Sequence, residues 1–162
     1  MDTRAAALIR TLRLRPHPEG GYFGEVFRSP RQVRPMERNV ERSALTTIYF
    51  LLTAGEWSRW HRVQADEAWH HYEGDPLELL WLTDAGGTPV QRARLGTVAP
   101  DARPVAVVPA VCWQAARPLG AYALVGCTVA PGFEFTDFTL LADVPEAAAR
   151  LRASHADLAQ LL

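Results

Sequence analysis

Between residues 44 and 130 the chain is cut into eight short segments, 44–53, 57–63, 67–73, 77–83, 89–95, 104–108, 111–117 and 121–130, rich in aromatic, β-branched and leucine side chains. Turn formers separate them at Ala54-Gly55, Gly74-Asp75-Pro76, residues 84–87, Pro100-Asp101 and Leu119-Gly120. Runs of this length bounded by Gly, Pro and Asp are strands rather than helices. Eight such strands at this spacing predict an all-β antiparallel sandwich or barrel. Residues 45–52 are apolar on both faces, which calls for a second covering layer, such as another subunit.

The flanks read differently. Residues 2–13 predict a short helix capped by Asp2 or Thr3, with Leu8, Ile9 and Leu12 as its apolar stripe. Pro16 and Pro18 forbid helix, Gly20-Gly21 permits a tight turn, and Tyr22 to Phe27 alternates as a strand. Residues 29–43 are charged and broken by proline, either a loop over a pocket or a plain surface excursion. Asp143, Pro145 and Glu146 signal a C-terminal helix, and Ser154 with Asp157 signals another before residues 158–162. With no internal repeat or low-complexity tract, residues 1–162 read as one domain.

Composition removes whole classes of function. All 17 basic residues are arginine, so no lysine is present to form a Schiff base, hold pyridoxal phosphate or complete a Walker-type phosphate loop. Functional arginines would bind carboxylate or phosphate rather than attack. A net charge of -1 argues against nucleic-acid and membrane partners. Arg28, Arg31, Arg34, Arg38 and Arg42 form a local basic stretch, but Glu37 and Glu41 interrupt it, as in a solvated loop. No segment approaches about 20 uninterrupted apolar residues and no signal-peptide core is present, so a cytoplasmic protein is expected. If Leu119-Gly120 is a two-residue hairpin turn, Cys112 lies opposite Cys127; buried free thiols are the alternative to a bridge.

The chemistry concentrates between Gly55 and Gly74, where three of the five histidines, His61, His70 and His71, alternate with aromatic and apolar residues. Gly55, His61, Glu67 and Gly74 stand at the spacing of the first signature of the cupin superfamily, and Val63 replaces its second histidine. Of the second cupin signature Pro109 fits, while Val111 stands at the glycine position and Gln114 at the histidine position. The stretches His17-Pro18-Glu19-Gly20-Gly21-Tyr22-Phe23 and Cys127 to Phe138 resemble those of a small cupin branch related to the sugar-nucleotide epimerases. The resemblance spans about the whole chain. It implies a double-stranded β-helix (jelly-roll barrel) with a short N-terminal helix and C-terminal helices. A homodimer is expected, with the N-terminal region and residues 45–52 helping to make its interface.

Strand alternation places His61 on one face with Arg59 and Trp57, and Glu67 with Trp69 and His71. If these strands form a hairpin folded as in cupins, both faces meet inside the barrel, joined by Gln114 with Cys112 beside it. A buried set of imidazole, carboxylate and carboxamide suggests a pocket for a small polar or anionic metabolite, since unpaired buried ionisable groups cost several kcal/mol each. A hydrogen-bonded structural pair of His61 and Glu67 is the plainer alternative. His17 reads as a loop residue, and the Pro18 to Tyr22 turn beside it could edge the pocket mouth.

The resemblance carries roles with it. In the epimerase branch a histidine abstracts a proton beside a carbonyl, which implies His61 as base and Glu67 as the acid that orients it. Arg28 or Arg59 would grip an anionic substrate and Tyr22 or Tyr72 supply a phenol, with Trp69, His71 and Gln114 lining the site. No second acid paired to the base is evident. A divalent transition metal would have only His61 and Glu67 as strong donors, with Gln114 as a weak third and His71 as a fourth that would have to swing in. Three functions follow: an isomerase or epimerase acting on a sugar-like or keto-acid substrate, a non-catalytic metabolite-binding protein, or a metal-dependent lyase or oxygenase.

Overall fold

The computed structural model describes residues 2–36, 38–87 and 89–162; Glu37 lies outside them. In chain order the elements are α1 (Thr3–Thr11), β1 (Arg15–Pro16), β2 (Tyr22–Arg28), β3 (Gln32–Val33), β4 (Arg42–Ser43), β5 (Thr46–Thr53), β6 (Ser58–Arg62) and β7 (Asp66–Gly74). They continue through β8 (Leu77–Leu82), β9 (Gln91–Leu95), β10 (Val105–Val108), β11 (Trp113–Pro118), β12 (Tyr122–Ala130), β13 (Thr139–Leu140) and α2 (Pro145–Ser154). A six-stranded sheet in the order β1-β2-β5-β12-β7-β10 faces a five-stranded sheet in the order β13-β6-β11-β8-β9, and β3 pairs with β4 alone. Every ladder between these strands is antiparallel. This is the expected all-β double-stranded β-helix.

Strand alternation builds the layers. Between the sheets lie Phe23, Phe50, Leu52, Trp69, Leu77, Leu79 and Val125. The outward face of β5 and β12 presents Leu51 and Leu124 to Ala5, Leu8 and Leu14, so α1 is the second layer that the two-sided segment 45–52 required. Asp2 caps that helix, accepting from the Arg4 and Ala5 amides at 2.8 and 3.1 Å. On the opposite side α2 and a 3₁₀ turn at Ala156–Leu161 cover Trp60, Leu80 and Leu82 with Leu151, Leu158 and Leu161. Trp60 Nε1 donates to the Leu158 carbonyl at 3.1 Å. Asp143 does not cap α2; Val144 occupies that position, without a side-chain cap.

Two sequence expectations fail because the chain changes sheets at its turns. Residues 58–62 and 66–74 are not a hairpin: β6 lies in the five-stranded sheet and β7 in the six-stranded one. Nor are β11 and β12 partners across Leu119-Gly120, so Cys112 does not pair with Cys127 in a ladder, and both are buried free thiols. A turn that crosses the interior and one that closes a hairpin use the same residues. What separates them is which apolar face must be covered.

Arginines of the basic stretch are paired rather than merely solvated. Arg38 and Arg42 both bind Asp137, at 2.7 Å each, and Arg34 meets Glu41 at 3.2 Å. The guanidinium of Arg42, then Arg38, hold the Asp137 carboxyl down at about 2.

Val111 occupies the glycine position of the second cupin signature and has φ 61, the left-handed region that L residues avoid. It is half exposed, so its side chain adds little packing. Val111→Gly is expected to stabilise the fold by about 1 kcal/mol, read as a shifted urea midpoint at unchanged slope; a lower midpoint would contradict the strain.

Candidate functional site

A cavity of about 140 Å³ opens between the sheets at the β1–β2 end, lined by Arg15, His17, Glu19, Phe23, Arg28, His61, Glu67, Cys127 and a wall of Phe133 to Phe135. His61 on β6 and Glu67 on β7 reach it from opposite sheets, which is how the residues of one signature converge without sharing a hairpin. Both are buried, at 2% and 7% exposure.

The loop between β1 and β2 brings the rest. Arg59 N–H donates to the Glu19 carbonyl at 2.9 Å, and the Arg59 guanidinium holds the Pro18 carbonyl. Gly20, at φ 113, is pressed so close to the Trp57 carbonyl that a Cβ would collide with it. Pinned in this way, the loop turns His17 and Glu19 inward.

Hydrogen bonds fix much of the protonation pattern. His61 Nδ1 lies 2.7 Å from the Arg59 carbonyl, which can only accept, so Nδ1 carries the hydrogen and Nε2 keeps its lone pair. That Nε2 is 3.4 Å from Glu19 Oε2. Ser58 Oγ donates to the other Glu19 oxygen at 2.8 Å. Exposed, the His61–Glu19 pair would be ionic; buried, it is a neutral imidazole beside a carboxylic acid. Burial lowers the His61 pKa, against the opposing pull of Glu67. Burial raises Glu19 to about 8, against Ser58 and Arg59, and raises Glu67 to about 7, against the charge of His61.

Gln114 works behind the cavity rather than in it. Its Nε2 donates to Glu67 Oε2 at 2.6 Å and its Oε1 accepts from Trp69 Nε1 at 3.1 Å. Both ends of the amide hold protein partners, so Gln114 orients Glu67 from behind the cavity. With Val63 at the second histidine position, His61 and Glu67 are the remaining donors of the anticipated set. Among the described residues no three His, Cys, Asp or Glu side chains are arranged to hold a metal ion. The donor set does not fit a cupin metal centre.

Other anticipated residues are displaced from the cavity. Trp69 is fully buried core, edge-on to Phe50. Tyr22 points to the opposite face of β2 and packs in the cluster under α1, while Tyr72 is half exposed on the outer face of the sheet. His71 lies toward the far end of β7, its Nε2 3.1 Å from the Asp75 carbonyl. Arg59 braces the loop from outside. Arg28 does reach the mouth, yet Glu25 and Glu134 engage it at 2.9 and 2.7 Å.

Sequence reasoning passed over Arg15 and Glu19. Arg15 lies over the Phe23 ring at 4.8 Å and, among the described residues, has no carboxylate partner. Glu19 is the second acid beside His61 that the sequence did not reveal. The cluster of His17, Glu19 and Gly20-Gly21 was the available signal, obscured because proline and glycine mark any surface turn.

A double-stranded β-helix whose two sheets turn ionisable side chains into one enclosed cavity defines a cupin-type barrel. The chain belongs to the family described as Cupin superfamily (DUF985), which matches residues 6–141. It is similar to a hypothetical protein from Leishmania major, 33% identical over 97% of each chain, with a TM-score of 0.84. A protein from Shewanella oneidensis is also 33% identical, over 98% of this chain and 96% of that one, with a TM-score of 0.83. A Klebsiella pneumoniae protein with a double-stranded β-helix domain shares the fold at 15% identity, covering 82% of this chain and 92% of that one, with a TM-score of 0.51. No curated protein matches the chain. Among the described residues no helix is long and apolar enough to cross a membrane.

Two measurements test these contacts. Gln114→Leu strands Glu67 Oε2 and Trp69 Nε1 and is expected to cost about 1–3 kcal/mol in denaturant unfolding while moving the Glu67 carboxyl further above about 7 in carbon-detected NMR titration. An unchanged Glu67 titration would show that the amide does not hold it. Glu19 has the opposite sign from an exposed carboxylate: its folded pKa of about 8 exceeds the ordinary 4.5, so its contribution to stability is full below 4.5 and is lost as pH rises through 8. His17 shifts from 6.5 down to about 3 and changes nothing above 6.5. Between pH 6.5 and 9 the thermal midpoint is therefore expected to fall, and to fall less in Glu19→Gln; parallel curves would refute the buried acid.

Proposed function

We propose that this protein is a metal-independent isomerase or epimerase that moves a proton on the carbon next to a carbonyl, in a small keto acid or short sugar-like substrate. The observation that carries the proposal is the tautomer of His61: Nδ1–H is spent on the Arg59 carbonyl, so a basic Nε2 lone pair stands at the cavity, flanked by two buried carboxyls. A purely structural histidine would have both nitrogens hydrogen-bonded; among the described residues Nε2 has only the 3.4 Å approach of Glu19.

In the proposed step His61 Nε2 takes the carbon-bound proton, the C–H electron pair forms the enolate double bond and the carbonyl electrons move onto oxygen. Glu67, held by Gln114, stabilises the imidazolium by its charge. Glu19 keeps a proton beside Nε2 and prevents a second anion from forming there. The proton then returns to carbon. Arg15, the mouth cation without a carboxylate partner, suits a substrate carboxylate. A cavity of about 140 Å³ suits a compound of this size; pockets that enclose drug-sized ligands run to roughly 300–1,000 Å³.

Solvent-deuterium exchange into pyruvate, 2-oxobutyrate and dihydroxyacetone, followed by proton NMR, tests the proposal. His61→Ala is expected to lower exchange by about 10²–10⁴-fold with the fold intact. Because Glu67 must be ionised and Glu19 protonated, the wild-type rate is expected to peak between about 7 and 8, and Glu19→Gln to remove the alkaline limb. Binding of these compounds with no exchange at any pH would instead indicate a non-catalytic carrier.

A further inference from the structure

His17 stands beside His61 at the same cavity, yet the proton transfer proposed above leaves it unused. Its side chain is 94% buried, 6% exposed, in a cage of phenyl rings: Phe23 edge-on at 4.6 Å, Phe135 stacked at 5.8 Å and Phe138 edge-on at 5.9 Å. The Glu19 backbone N–H donates to His17 Nδ1 at 3.2 Å. An atom that accepts from an amide carries no hydrogen, so the hydrogen of this imidazole is on Nε2.

That Nε2–H has no protein acceptor among the described residues. It is also not sealed in the core: Arg62 Nε is the one fully enclosed side-chain nitrogen or oxygen without a partner among them. A donor held rigidly by aromatic walls, unpartnered and open to the cavity, is aimed at whatever the cavity holds. We infer that His17 is the electrophilic partner of His61, its Nε2–H donating to the substrate oxygen on which charge develops while His61 takes the carbon-bound proton.

This assignment rests on the proton-transfer function proposed above and adds a second catalytic residue to it. No proton leaves His17: the enolate oxygen accepts a hydrogen bond in the intermediate and gives it up when carbon is reprotonated, so the cycle balances without a co-reactant. The ring is also kept neutral. Burial first, then the charges of His61 and Arg15, push its pKa to about 3, while the nearby Glu19 carboxyl is itself protonated near neutrality. A neutral imidazole is a donor that does not quench the neighbouring base by repulsion or by surrendering its own proton.

Two substitutions separate catalysis from architecture. The oxygen of Asn replaces Nδ1 as acceptor for the Glu19 amide but offers no donor at the Nε2 position; the longer Gln places an amide donor near Nε2. In the 2-oxobutyrate exchange assay His17→Asn is expected to lower kcat by about 10²-fold with little change in KM, and His17→Gln to retain more activity than His17→Asn. A merely structural role predicts the reverse order. Long-range ¹H–¹⁵N spectra of the wild-type protein are expected to show the Nε2–H tautomer from pH 5 to 8. Exchange at full rate in His17→Asn, or an imidazolium or Nδ1–H form in that range, would overturn the assignment while leaving the function of His61 standing. Absence of exchange in the wild-type protein, with all three carbonyl compounds, would overturn both.

Discussion

The withdrawal of Glu19, His61 and Glu67 from water is the condition on which the interior of this barrel depends. Three ionisable groups in one gap cannot all be charged without partners, because desolvating an ion costs several kcal/mol. The fold resolves this by neutralisation: two carboxyls hold protons to about 8 and about 7, and the imidazole between them loses basicity. Carboxyls that titrate at about 7 and about 8 can hold or release a proton near neutral pH. Burial therefore gives these carboxyls the poise that the proposed proton transfer requires.

Everything around the cavity fixes geometry. Gln114 ties Glu67 to Trp69, and Ser58 and the Arg59 backbone hold Glu19. The aromatic wall is anchored at both ends: Thr46 accepts from the Phe133 amide at 2.9 Å, and Asp137 is clamped by Arg38 and Arg42. A chain whose cations are all arginine suits this use, because a planar fork can grip a carboxylate with two nitrogens, as Arg42 does with Asp137. The arginines thus serve the frame, and among the described residues Arg15 alone faces the cavity mouth without a carboxylate.

The β-architecture was legible because strand periodicity and turn residues are local. The predicted segments 67–73 and 121–130 recur as Asp66–Gly74 and Tyr122–Ala130. Strands of two residues, such as Arg15–Pro16 and Thr139–Leu140, left no periodic trace. His61 and Glu67 were legible from spacing, which a fixed number of residues between strands preserves. Gln114 stands at the spacing of a signature histidine, but both ends of its amide find protein partners, which makes it a support for Glu67. Trp69 and His71 share the face of Glu67 but lie further along β7, Trp69 in the core against Phe50 and His71 near the turn at Asp75, away from the cavity end.

By itself the sequence determined the strand inventory, the exclusion of lysine chemistry and the presence of one imidazole and one carboxyl six residues apart, because alternation, residue type and short spacing are properties of the chain. The tertiary structure alone decided that β6 and β7 face each other across the gap, that α1 is the cover for β5, and that the β1–β2 loop delivers Arg15, His17 and Glu19 to the same cavity. Which turn crosses the interior depends on burying apolar faces far apart in the chain, and the pKa of a carboxyl depends on the water it loses. Neither is encoded in any window of neighbouring residues.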